Sequence, residues 1–318
     1  MIRRLADRAA AALLAAVTAV ALLAAAGCSG EPSPQASGAL RVTASVSFLA
    51  DIAQNVAGDR FTVESLVPRD ADPHAYDPTP RDLARVARSD LLIVNGGGLE
   101  GTLEDTVRAA APGVTVVAAS RGLAPRTPRP GEPAAGDDGA TQPDPHFWLD
   151  PILTIRYVET IRDAFSRADP AGAAEYAAHA AAYAAELRAL DDRIRREVAA
   201  LPAGQRVLVT DHASYGYFAD RYGFRVAGSI VPSVATGETP SARELAELTR
   251  IVRDERVPAV FVEAGENPQL AEQIAAETDA VVVGDLRDHS LSEPDGDAPT
   301  YVAMMEYDAR RIVRALLR

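Results

Sequence analysis

The chain has 318 residues, 47% of them hydrophobic, and 32 basic residues, all arginine, against 45 acidic ones. That length gives room for a sizeable core and for about two domains. A net charge of −13 argues against a nucleic-acid binder, which needs a basic footprint. A single cysteine excludes an intramolecular disulfide framework, and one long apolar run, at the N-terminus, excludes a multi-span membrane protein.

Arg3, Arg4 and Arg8 precede that run, which extends from Ala9 to Ala26 with Thr18 as its only polar member. Ala25-Ala26-Gly27-Cys28 follows. A basic start, an apolar middle and small residues before a cut predict a signal peptide over residues 1–27. The small residues before Cys28 resemble a bacterial lipobox, which implies a lipidated Cys28 as mature N-terminus. The protein is then anchored to the outer side of the cell membrane, extracellular or periplasmic. An uncleaved anchor is the alternative, because the run of 18 residues sits at the lower limit for a span. Residues 28–39 read as a flexible tether.

From Leu40 onward strands alternate with helices. LRVTASV is a strand, SFLADIAQNVAG a helix stopped at Gly58, FTVESLV a strand, and PRDLARVARS a helix opened by Pro80. DLLIVNG is a buried strand, GLEGTLEDTVRAAA a helix and GVTVVAAS a strand. Residues 121–145 hold six Pro and four Gly, so they form no regular element. They contain no histidine either.

ILTIRYVETIRDAFSRA follows as a helix. A second helical run, AGAAEYAAHAAAYAAELRALDDRIRREVAAL, is ended by Pro202 and Gly204. Alternation then resumes with RVLVTD, YGYFADRYG, RVAGSI, SARELAELTRIVRDE, AVFVE, NPQLAEQIAAETD and AVVVGDL, and the chain closes on the helix YVAMMEYDARRIVRALL. Such alternation predicts an α/β protein with parallel sheets. The expected organisation is a lobe over 40–168, a linker helix over 169–203 and a second lobe over 204–318.

Four of the five histidines lie just past strand ends or in the loops beyond: His74 in ADPHAYDPTP, His146 in PDPHFWLDP, His212 in TDHASYGYF and His289 in RDHSLSEPDG. Two come from each half, so a cleft between lobes would collect all four. Imidazole is the commonest protein ligand of zinc, and four ligands fill its tetrahedron. Taken singly, each is also readable as an ordinary loop histidine. His179 sits inside the alanine-rich helix with Tyr176 and Tyr183 and reads as a packing or solvated residue.

These motifs resemble those of the metal-binding lipoproteins that serve zinc and manganese ABC importers. DPHAYDPTP, DPHFWLDP and TDHASYGYFADRYG are similar to that family's first three ligand motifs. TGETPSARELAEL, VFVEAGENPQLAEQIAAET and LRDHSLSEPDGDAPTY are similar to its second-lobe segments. The resemblance spans about residues 40–318 and implies two Rossmann-like lobes joined by one long rigid linker helix. It implies a metal bound between the lobes by His74, His146, His212 and His289, and delivery to an ABC permease and its ATPase by a monomeric receptor.

The resemblance implies the zinc-type branch, since members similar to manganese binders tend to carry Glu where this chain has His212, and imidazole suits zinc better than manganese. The family's last loop has Asp directly before Ser-Leu. Here His289 takes that place, with Asp288 before it, so Asp288 or water is the alternative fourth ligand. The histidine-rich loop of many zinc-binding relatives is missing from 75–145, where Asp137 and Asp138 are its nearest substitute. Manganese is the alternative cargo.

An enzyme reading, a zinc hydrolase with Glu263 or Glu266 as base, is weaker. The sequence has no HExxH helix, and a filled four-ligand site leaves no position for a reacting water. An adhesive role on the same fold stays open. A receptor for a metal chelate would need no histidine tetrad.

Overall fold

The structure is a computed structural model that describes residues 39–69, 71–126, 129, 132, 143–234, 236 and 239–318. The expected signal peptide, Cys28 and nearly all of the tether lie outside the described residues, as do Asp137 and Asp138. Among the described residues no helix is long and apolar enough to cross a membrane.

The first lobe is a four-stranded parallel sheet in the order β2-β1-β3-β4, with β1 Val42–Ala44, β2 Val63–Ser65, β3 Leu91–Val94 and β4 Thr115–Ala118. Helices α1 Ser47–Ala57, α2 Pro80–Val86 and α3 Gly101–Ala110 make the crossovers. The second lobe repeats the scheme as β6-β5-β7-β8, with β5 Val207–Thr210, β6 Arg225–Ser229, β7 Ala259–Glu263 and β8 Val281–Leu286. Its crossovers are α6 Gly216–Tyr222, α7 Ala242–Asp254 and α8 Gln269–Ala276. All four residues of β3 are buried, as a parallel strand covered on both faces requires. The two-sheet α/β architecture read from the alternation is therefore the one observed.

Between the lobes run α4 Pro151–Ala168 and α5 Ala173–Val198, and α9 Tyr301–Leu316 closes the chain. Helix α5 has 26 residues, about 39 Å at 1.5 Å each. It starts two residues later and ends three earlier than its composition suggests. A 3₁₀ turn over Pro170–Gly172 precedes it, and the chain turns before Pro202, which has no N–H to continue a helix. Its buried stripe, Tyr176, Ala180, Tyr183, Leu187, Leu190, Ile194 and Val198, recurs every three or four residues and packs on α1, α4 and α9. His179 lies at its edge, with Nδ1 3.3 Å from the Val56 carbonyl, far from the other four histidines in its contacts.

One apolar cluster runs through both lobes, from Val42 and Phe48 to Phe261 and Met304. Trp148 is a central link. It is fully buried, its ring stacks on Phe48 of α1 at 4.5 Å, and its Nε1–H donates to the Asp288 carbonyl of the second lobe. Trp148→Ala is expected to cost about 3–5 kcal/mol, because a large cavity opens where the surroundings cannot collapse. A thermal melt should show a fall on the order of 10 °C. A fall under about 2 °C would mean the lobes do not depend on this link.

Candidate metal centre

Each of the four loop histidines is delivered from the C-terminal end of a parallel strand, where open α/β sheets bind ligands. His74 follows β2. The Asp72 carboxylate accepts from its backbone N–H at 2.8 Å and from the Thr236 hydroxyl of the second lobe. His146 follows the long loop after β4. Asp144 Oδ1 accepts from its backbone N–H at 3.0 Å and from its ring Nδ1 at 2.9 Å. The carbonyl just before it, that of Pro145, accepts from Asn95 Nδ2 at 2.9 Å. Asn95 is fixed in turn by Tyr157 and by Glu100, which also accepts from Ser45 at 2.6 Å. The backbone before His146 is thus tied to the ends of β1 and β3.

His212 follows β5. Asp211 Oδ1 accepts from its backbone N–H at 2.8 Å and lies 3.2 Å from Nδ1, while Asp211 Oδ2 accepts from the Glu263 N–H at 2.8 Å. His289 follows β8 and presents Nδ1 to both oxygens of Glu263 at 2.8 and 2.9 Å. Three of the four rings therefore face a carboxylate with Nδ1. A carboxylate accepts, so in the neutral form of each ring the proton sits on Nδ1 and Nε2 carries a lone pair. Carboxylate–imidazole pairs of this kind orient metal ligands and raise their basicity.

The lone pairs converge. His289 Nε2 lies 3.1 Å from His74 Nε2 and 3.2 Å from His146 Nε2. The six ring-to-ring separations among the four all fall between 4.9 and 5.9 Å. Four points with six near-equal separations are the corners of a tetrahedron. Imidazoles bound through Nε2 at ~2.1 Å around one tetrahedral ion would place ring centres about 5 Å apart and nitrogens about 3.4 Å apart. His146, His212 and His289 are at most 2% exposed, and His74 is half-buried.

Electrostatics fit a cation. Burial first, then the neighbouring imidazoles, push His74 and His146 far below the usual histidine range. His289 is lowered by burial against the pull of Asp288. His212 goes the other way, up to about 9: burial would lower it, but its bond to Asp211 and the charges of Asp211, Asp288 and Asp72 outweigh that. Asp288 is completely buried, and its carboxylate oxygens and His212 Nε2 lack hydrogen-bond partners. Buried polar atoms without partners ask for an explanation, and a bound ion is one. Glu263 is raised well above the carboxylate range by burial and then by Asp288. A second set of convergent donor atoms, from His212, Glu263, Asp288 and His289, overlaps the first.

A profile described as "Zinc-uptake complex component A periplasmic" matches residues 42–315. The chain belongs to this family. It is a family of solute-binding receptors of metal ABC importers, not of enzymes. Among its relatives, the manganese-binding lipoprotein MntA of Halalkalibacterium halodurans is 32% identical over 93% of this chain and 96% of its own. The iron-binding protein YfeA of Yersinia pestis is 33% identical, over 86% and 85%. The periplasmic zinc-binding protein TroA of Treponema pallidum has a solved structure that superposes with a TM-score of 0.78 at 28% identity, over 87% of this chain and 99% of that one.

Within this receptor, Glu263 and Glu266, weighed as bases from sequence, stand differently. Glu263 faces the outer nitrogen of His289, and Glu266 belongs to neither donor set. Sequence reasoning passed over Asp144 and Asp211 as partners of His146 and His212. The signal was present, since an aspartate stands one or two residues before each of the four histidines.

Proposed function

We propose that this protein captures Zn²⁺ through His74, His146, His212 and His289 and hands it to an ABC permease powered by its ATPase. It does so as a monomer, held by a lipid on Cys28 at the outer face of the membrane. The observation that carries the reading is the tetrahedral array of four imidazoles at zinc-like spacings. Imidazole is a borderline ligand that serves zinc well, whereas manganese prefers oxygen donors in larger coordination shells. The zinc-binding relative and the family's description support the same reading, and family membership supports delivery to a permease.

Manganese is the second reading. It is favoured by the overlapping donor set with two carboxylates, Glu263 and Asp288, and by the manganese-binding relative. Competition decides between them. Metal-stripped protein offered equal Zn²⁺ and Mn²⁺ is expected to retain zinc at one ion per chain; retention of manganese overturns the zinc reading. The fourth ligand has its own test. His289→Ala is expected to weaken zinc binding more than Asp288→Asn, measured against a chelator of known affinity. The reverse order would make Asp288 the ligand.

A further inference from the structure

The long loop after β4 reaches Asp220 of the second lobe through two arginines, the exposed Arg129, 2.7 Å from Asp220 Oδ1, and the nearly buried Arg126. The Arg126 side chain is 9% exposed, with Nη2 2.7 Å from Glu132 Oε2, Nε 3.0 Å from Asp220 Oδ2 and Nη1 3.8 Å from Asp144 Oδ2. Its backbone N–H donates to the Tyr217 hydroxyl at 3.0 Å, and that hydroxyl donates to the Asp144 carbonyl at 3.0 Å. Tyr217 and Asp220 belong to α6 of the second lobe, while Arg126 and Asp144 belong to the loop of the first. The guanidinium needs the space that Gly216 leaves. A Cβ there would lie 2.3 Å from Arg126 Nη1 and 2.9 Å from Asp144 Oδ2. The Asp144 oxygen that Arg126 faces is the partner of the one bonded to His146 Nδ1.

We infer that Arg126 is a positioning residue for metal retention: it ties the loop to α6 and holds the Asp144 carboxylate behind His146. The inference rests on His146 being a ligand. Hydrogen bonds to Glu132 and Asp220 fix the planar guanidinium, which at 3.8 Å draws Asp144 Oδ2 by charge rather than by a hydrogen bond. With Arg126 in place, Asp144 keeps one oxygen on the imidazole and the other towards the second lobe. His146 then cannot turn away from the ion without losing an Asp144 carboxylate that sits against the arginine tied to α6. The loop thereby gains a role in affinity, contrary to what its lack of ligands suggests.

The test is the rate of zinc loss from the full chain into excess chelator, with the visible spectrum of the Co²⁺-loaded protein and the melting temperature of the metal-free form. Arg126→Gln is expected to raise the off-rate about 10- to 100-fold, the range for losing an outer partner of a metal ligand, and to shift the cobalt bands. Arg126→Lys should recover part of the loss. Asp220→Asn, which weakens the carboxylate that Arg126 and Arg129 share on α6 and leaves the Tyr217 contact, should raise the off-rate by a smaller factor. An off-rate within twofold of the parent in Arg126→Gln, with unchanged cobalt bands, overturns the inference even if the melting temperature drops. Should that variant not fold, Asp220→Asn decides, and an unchanged off-rate there overturns it. Unchanged zinc affinity in His146→Ala would remove the ligand assignment and overturn the inference with it.

Discussion

His146→Ala is expected to weaken zinc binding on the order of 100- to 1000-fold. A four-ligand structural zinc site is worth roughly 10–16 kcal/mol, so one ligand carries about 3–4 kcal/mol, which is that factor. Of the four proposed ligands, His146 has the least freedom to be replaced. It is fully buried, it is held by Asp144 through both backbone and ring, and its preceding carbonyl is bonded by Asn95. Bulk water reaches such a position poorly, so a water ligand restores little. The change also opens a cavity and takes the ring partner from Asp144 Oδ1, so the metal-free form should melt lower than the parent while keeping its fold. Competition with a chelator of known affinity gives the ratio, and a metal-free melt checks the fold. An affinity within threefold of the parent would sink the tetrahedral site.

The lobes were legible because parallel strands buried on both faces make short continuous apolar runs, and LLIV at 91–94 is one. The helix after it was placed too early. Gly96, Gly97 and Gly98 all adopt positive φ, so the chain turns there and α3 begins only at Gly101. The histidines were legible because they follow strand ends in both halves. Their supports were less so. Ser45 meets Glu100 across 55 residues, Asn95 meets Pro145 across 50, and Arg126 meets Asp220 across 94. No periodicity reports contacts of that range. Glu263 illustrates the same gap. Its identity suited a base, and only the fold shows that it faces the outer nitrogen of His289.

Acidification should strengthen the metal-free fold while weakening its hold on zinc. Burial raises Glu100 and Asp308 to about 7, against the hydrogen bonds they accept, and Asp51 to about 6. A carboxyl with a raised folded value binds more protons when folded, so its contribution is full at low pH and is lost as pH rises towards 7. His212, raised to about 9, acts in the same sense, losing its contribution as pH climbs through 9. His74, His146 and His289 act oppositely. Their folded values are depressed, so below about 6.5 the unfolded chain takes up protons they refuse. Metal-free melting temperature should therefore rise by several degrees from pH 8.5 to about 6.5 and then level off. Zinc reverses the trend, because His212 must give up its proton to bind it, whereas His74, His146 and His289 already meet it unprotonated. At about 1,000 times its dissociation constant zinc adds about 4 kcal/mol, and at fixed zinc that increment should shrink steadily from pH 8 to 6. A metal-free melt that falls over pH 8.5 to 6.5 would contradict the buried-carboxyl assignment. A zinc increment that stays constant over the same range would show that His212 does not hold the ion.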